Sequence, residues 1–164
     1  MNSNAPIIFV YGTLKRGLVN APAMRGAGSD RIQAAYLRGF RLFELPSKPR
    51  SKPCAGARGG VRPYPYPLLV KQSGPHSRTG GLVLGELHRL GGSELHPDDA
   101  LRVLDHLELE GYEYHRRAWW AVVRGVRVRA WVYVYASRRF AARRGARAFG
   151  GISWTAKAAR IKSP

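Results

Sequence analysis

FVYGTLKRG, residues 9–17, changes character in its middle, and that change decides how the rest of the chain is read. The run that leads into it, IIFVY (7–11), is apolar at every position, the pattern of a strand buried on both faces and the expected first, central strand of a sheet. At Gly12 and Thr13 the run stops. A strand that breaks into a loop leaves main-chain N–H groups without ladder partners, and glycine lets a ligand approach them with no side chain in the way. Such donors can hold an anion or a polarised carbonyl oxygen. A glycine after a strand is also an ordinary turn, so the stretch reads as a site only if a chemical partner lies elsewhere in the chain.

The chain has 164 residues, 45% of them apolar, enough to bury a genuine core in a single globular unit. No apolar stretch approaches the length of a membrane span, and MNSNAP at the start lacks the basic and apolar regions of a signal peptide. The lone cysteine, Cys54, has no internal partner and lies in a Pro- and Lys-rich stretch, where it reads as a loop residue rather than a nucleophile. A cytoplasmic setting is the expectation. The net charge is +18, and residues 111–164 carry thirteen Lys or Arg against the single acid Glu113. Such a cationic end attracts polyanions whatever their sequence, so nonspecific nucleic acid contact is one expectation. Most of the charge is arginine, which a base-composition bias or a thermophilic background also produces.

Residues 34–45, AAYLRGFRLFEL, suit a curved strand or two short ones. From Pro46 to Gly81 the chain holds seven of its eleven prolines, and only PYPYPLLV (63–70) is strand-like, so most of this segment reads as loop. LVLGELHRL (82–90) is a strand. HPDDALRVLDHLELEGY opens with helix-start chemistry, Pro97 in the first turn and Asp98 or Asp99 as cap, and Gly111 as stop, which predicts a helix over about 98–109. RRAWWAVVRG and VRVRAWVYVYAS meet at Arg124-Gly125 as a β-hairpin. After Arg138 a short helix and a loosely ordered basic tail are expected. These elements compose an α+β fold, mostly β, a twisted sheet or small barrel of five to seven strands with one or two packed helices. The expected organisation is a domain over 1–137, including the loop region 46–81, and a basic C-terminal extension over 138–164.

With Leu101 at zero and about 100° per residue, Leu104 falls near 300°, Leu107 near 240° and Leu109 near 80°. Glu108, at about 340°, sits inside this apolar stripe, whereas Glu110, at about 180°, faces solvent. A carboxyl group withdrawn from water titrates higher than usual, which suits it to take up and return protons near neutral pH. The plainer alternative is that Glu108 hydrogen-bonds a nearby Tyr or Arg. Asp105 lies at the edge of the stripe and reads as a solvated or Arg-paired acid.

His76, His88, His96, His106 and His115 lack ligand spacing, so no metal site is expected. Ser73, Ser77 and Ser93 lack a nucleophile elbow, and there is no phosphate-loop motif. Trp131, Tyr133 and Tyr135 share a sheet face, as core or with one hydroxyl reaching a pocket, while Trp119 and Trp120 point to opposite faces. Arg116 either orients Glu108 or is an ordinary strand-end charge.

VYGTLKRG (10–17), GELHRL (85–90), LDHLELEGYEYHRR (104–117) and WVYVY (131–135), in this order and spacing, resemble the gamma-glutamylcyclotransferase-like family, most closely its gamma-glutamylamine cyclotransferase branch. The resemblance covers roughly 6–137, with 46–63 poorly matched and the tail after 138 unmatched. The family pattern is Y-G-[TS]-L on the first strand, then G-E-hydrophobic, then L-D-x-hydrophobic-E followed by a Tyr and an Arg, which here are Glu108, Tyr114 and Arg116. The resemblance implies cyclisation of a γ-glutamyl group to 5-oxoproline with release of the attached amine. It implies Glu108 as general acid and base, and substrate binding by Tyr11, Gly12, Thr13, Leu14, Tyr114, Arg116 and Tyr135, with no metal or cofactor. Two other readings stand beside it: a nucleic-acid-associated module using the Arg-rich C-terminal region, and a non-catalytic sensor using the same pocket.

Overall fold

In a computed structural model of the chain, residues 5–29, 31–46, 65–72, 81–91, 95–111, 113–135 and 138–155 are described. The expectations placed on Cys54, His76, Ser73, Ser77, Ser93, most of the 46–81 segment and the tail beyond 155 fall outside these residues.

The described elements are β1 (Ile7–Val10), α1 (Ala21–Gly26), β2 (Arg31–Arg38), β3 (Phe40–Leu45), β4 (Tyr66–Lys71), β5 (Leu82–Arg89), α2 (Pro97–Glu108), β6 (Tyr114–Val123), β7 (Val126–Tyr135), α3 (Arg138–Arg143) and β8 (Arg147–Ala148). Five strands close a barrel in the order β1-β5-β2-β6-β7, and β4-β3-β8 form a second sheet. Closure comes from a parallel pairing of Ile8 with Trp131, which joins distant parts of the chain. The AAYLRGFRLFEL stretch is indeed two strands, parted at Gly39, whose φ of 81° a residue with a side chain rarely adopts. Arg124 and Gly125, both at positive φ, turn β6 into β7 as the hairpin signal predicts.

Alternation along β1 divides the core. Phe9 and Tyr11 pack with Leu37, Leu87, Ala121 and Val132 inside the barrel. Ile8 and Val10 face the other way and pack with Leu101 and Leu104 of α2. Each such leucine, fully withdrawn from water, contributes about 1.5–3 kcal/mol, so the apolar stripe is what docks α2 on the barrel wall. Its N-cap is His96, whose Nδ1 accepts from the Asp98 amide at 3.4 Å, rather than Asp98 or Asp99, which lie within the first turn and there complement the positive end of the helix dipole.

Residues 138–155, beyond the expected boundary at 137, make contacts with the elements before them. Phe43 and Glu44 of β3 pair with β8, Ala141 joins the core under α2, and Trp154 is fully buried. Lys15 Nζ, next to the opening turn, donates to Ser153 Oγ at 3.1 Å and to the Trp154 carbonyl at 2.8 Å. The Gly- and Arg-rich composition concealed one indole that supplies the segment's anchor. A short helix after 138 is present, as expected; α1, in a stretch broken by Pro and Gly, had no periodic pattern to announce it. Among the described residues no helix is long and apolar enough to cross a membrane.

Candidate active site

The turn after β1 is held rigidly. Gly12 C=O accepts from the Lys15 amide at 3.0 Å, closing a tight turn. Asn20 then clamps it from outside: its amide donates to the Thr13 carbonyl and its Nδ2 to Thr13 Oγ1, both at 2.9 Å. The Thr13 and Leu14 amides donate to no acceptor among the described residues. Gly12 is required by close packing, because a Cβ there would lie 2.7 Å from Pro67 Cγ.

At the other side of the same hollow stands the end of α2. The Glu110 amide bonds the Asp105 carbonyl at 2.9 Å and the Leu109 amide bonds the His106 carbonyl at 3.4 Å, a closing pattern that needs a left-handed residue at Leu109, with φ of 52°. The expected stop, Gly111, comes two residues later. A leucine in this conformation costs about 1 kcal/mol, and the turn it makes leaves Glu108 on the buried side while Glu110 points to water. Glu108 is 7% exposed.

Glu108 and Tyr11–Leu14 line one small open cavity, completed by Phe9, Val10, Tyr66, Pro67, Tyr114 and Tyr133. Among these described residues Glu108 is the one carboxylate, and none is Lys or Arg. Tyr114 fixes the far wall by donating to the Pro67 carbonyl at 3.1 Å. Tyr11 donates to the Tyr133 carbonyl at 2.8 Å, tying the first strand to the last across the barrel seam.

Two expected substrate residues lie behind the wall instead. Arg116 does not line the cavity. Its Nε meets Asp105 Oδ1 at 3.3 Å and its guanidinium lies 5.0 Å over the Trp131 ring. Asp105 in turn accepts from the Tyr133 hydroxyl at 2.7 Å, so Arg116 supports Tyr133, and Asp105 is the Arg-paired acid its position predicted. Tyr135 also stands back, packed edge-on against Tyr114 with ring centroids 5.3 Å apart, its hydroxyl accepting from Arg144 Nη1 at 3.1 Å. The tyrosine that reaches the cavity is Tyr133. Alternation put both on one face, but only the register, which sets Tyr133 opposite Arg116 and Tyr135 opposite Tyr114, separates them. Burial, reinforced by donation to Asp105, holds the Tyr133 hydroxyl protonated far above its ordinary range. It is therefore a neutral phenol in the wall and no base.

Sequence reasoning missed Glu113. This carboxyl group is 1% exposed, accepts from Tyr66 at 2.7 Å and pairs with Arg144. It follows the helix outside any periodic pattern, so nothing in its spacing marked it as buried. A further polar group sits under the opening turn, where Glu86 Oε2 accepts from the Arg16 amide at 2.9 Å and lies 3.2 Å from Nε2 of the buried His88. Burial alone would raise the Glu86 carboxyl, but the His88 and Arg16 hydrogen bonds together with the charges of His88 and Lys15 outweigh it and hold it below the usual range. Among the described residues no group of His, Cys, Asp and Glu gathers in a way that could hold a metal ion.

The family model described as gamma-glutamyl cyclotransferase, AIG2-like, matches residues 8–156 of this sequence. The crystal structure of an AIG2-like protein from Mus musculus is similar at 26% identity and a TM-score of 0.56, with 81% of this chain and 78% of that one covered. An Arabidopsis thaliana protein solved in solution aligns at 22% identity and a TM-score of 0.53, covering 83% of this chain and 72% of that one. An allophanate hydrolase from Kluyveromyces lactis superposes with a TM-score of 0.61 at 12% identity, over 92% of this chain but 20% of its own. At such identities the last two show a shared fold alone. No curated protein matches the chain.

Proposed function

The chain belongs to the gamma-glutamyl cyclotransferase, AIG2-like family, and from that premise we propose that it cyclises γ-glutamyl compounds to 5-oxoproline, with Glu108 as general acid and base. The observation that carries the reading is the placement of Glu108, withdrawn from water, on the same cavity as the main chain of Tyr11–Leu14.

The chemistry suits that placement. The α-nitrogen of the γ-glutamyl group attacks its own γ-carbonyl carbon, the new C–N bond closes a five-membered lactam, and the original amide C–N bond breaks. The nucleophile and electrophile belong to one molecule, so a cavity that holds the chain bent supplies much of the rate through orientation. At neutral pH the α-nitrogen starts as an ammonium and ends as a lactam N–H, while the leaving nitrogen ends as an ammonium. Two protons therefore pass from one nitrogen to the other. Glu108 takes the first before the nitrogen attacks, freeing its lone pair, hands it to the departing nitrogen, and then relays the second as the lactam forms; general acid–base catalysis of this kind contributes about 10²- to 10⁴-fold. The Thr13 and Leu14 amides would hold substrate oxygens as neutral donors. With no cation among the described lining residues, an α-carboxylate would depend on such main-chain donors. Tyr133, locked as a phenol by Asp105, would shape the pocket beside Glu108.

The test is to incubate the protein with a panel of γ-glutamyl amines and peptides and to quantify 5-oxoproline. Release from at least one compound, abolished by Glu108→Gln in a protein that still melts cooperatively, is the expected result. No release from any member of the panel overturns the reading.

A further inference from the structure

Beyond the part of the barrel wall that α2 covers, the outer faces of β2, β6 and β7 meet solvent. The register aligns one row across this wall, with Leu84 opposite Tyr36, Tyr36 opposite Val122 and Val122 opposite Arg127. Alternation puts Arg38, Trp120 and Arg129 on the same outward side, and Trp120 stands directly opposite Arg129. Trp120 is 47% exposed. The guanidinium of Arg127 lies 5.1 Å from the centre of its ring, and that of Arg38 lies 5.5 Å from the centre of the Tyr36 ring. Arg129 also borders a shallow groove floored by Ala118 and walled by Trp131.

Charge decides what such a face can meet. On this outward side β2, β6 and β7 carry Arg38, Arg127 and Arg129, besides the Arg116 that Asp105 already pairs, and no Asp or Glu, whereas among the described residues the exposed acids Asp98 and Glu110 belong to α2 and the turn after it. A second copy of the chain docking through this face would set like charges against each other. An acidic polypeptide would answer the charge but offer nothing flat to the half-exposed indole. Single-stranded nucleic acid answers both features, with phosphates for the guanidinium groups and base faces that stack on an aromatic side chain regardless of sequence.

We propose that the outward face of β2, β6 and β7 binds single-stranded nucleic acid, with Arg38, Arg127 and Arg129 on phosphates and Trp120 as the stacking platform. The site needs nothing from the basic tail beyond residue 155, and it is separate from the Glu108 cavity.

The experiment is fluorescence anisotropy of the full chain with a labelled oligothymidylate over a series of salt concentrations. Trp120→Ala should weaken binding at fixed salt by roughly 5- to 100-fold, the loss expected for one stacked base, and leave the salt dependence unchanged. The double variant Arg127→Ala/Arg129→Ala should instead flatten the log–log salt slope by about 1.4, or roughly 0.7 for each phosphate no longer neutralised. Trp120→Phe keeps an aromatic face and should restore most of the affinity, which separates stacking from a folding defect. Three results would overturn the proposal: no binding at low salt, binding indifferent to Trp120→Ala, or displacement of the oligonucleotide by polyglutamate as readily as by unlabelled oligonucleotide.

Discussion

Glu108 and Glu113 stand at two corners of one structure and are both taken out of water, at 7% and 1% exposure, yet their surroundings are opposite. Glu108 lines a cavity and shares it with main-chain groups of the opening turn. Glu113 is sealed behind Tyr66 and Arg144, in a corner that joins β4, the start of β6 and the segment after α3. Burial alone therefore does not identify a catalytic acid. What separates the two is whether a ligand could reach the carboxyl group. The Glu113 corner instead fastens Tyr66, a cavity residue, to the C-terminal segment.

The largest expected effect falls on the open corner. Glu108→Gln should lower kcat/KM for 5-oxoproline formation by about 10²- to 10⁴-fold, the usual worth of a general acid–base group, with little change in melting temperature. Activity assays on the purified variant beside its melting curve check this.

The C-terminal segment should answer in stability. Trp154→Ala removes the fully buried indole that anchors residues 149–155 and should cost about 3–5 kcal/mol, measured by urea unfolding. A loss near zero would show that this indole does not anchor the segment.

Between the two corners lies Asp105, which touches both Arg116 and Tyr133 but not the cavity itself. Asp105→Asn keeps an acceptor for Tyr133 and weakens the hold on Arg116, so a loss of about tenfold in kcat is expected, with KM less affected, as suits a group that positions another. Equal loss from Arg116→Met would show that the two act as a unit.

How much of this was legible beforehand follows from range. IIFV, the α2 stripe with Glu108 inside it, and the Arg124-Gly125 turn are set by neighbouring residues, so periodicity and turn chemistry found them. The gamma-glutamyl cyclotransferase resemblance, carried by four short blocks, is matched by the family model over 8–156. What escaped depends on residues distant in sequence: the Ile8–Trp131 pairing that closes the barrel, the choice of Tyr133 over Tyr135 for the cavity, and the Glu113–Arg144 pair. The motif places Arg116 on substrate, whereas which arginine pairs with Asp105 depends on the arrangement of α2 against β6.

The smallest expected effect lies under the opening turn. Folding holds the Glu86 carboxyl below its ordinary value of 4.5, so the unfolded chain binds a proton there before the folded one does. Glu86 therefore adds stability that is fully present above about pH 4.5 and is lost as pH falls through the lower folded value. Melting temperatures of the parent and Glu86→Gln should differ at neutral pH and draw together as pH falls below about 4.5. A gap that stays constant with pH would remove this carboxylate from the account of how the turn is held.

The most direct measurement sets Glu108→Gln and Glu113→Gln side by side, each assayed for 5-oxoproline release and for unfolding free energy. A crossed result is predicted: the first variant folds like the parent and releases product about 10²- to 10⁴-fold more slowly, while the second loses about 2–3 kcal/mol of stability, less than a fully buried pair because Arg144 is partly exposed, and still turns over when folded. Product release by folded Glu108→Gln at the parental rate would contradict the central claim.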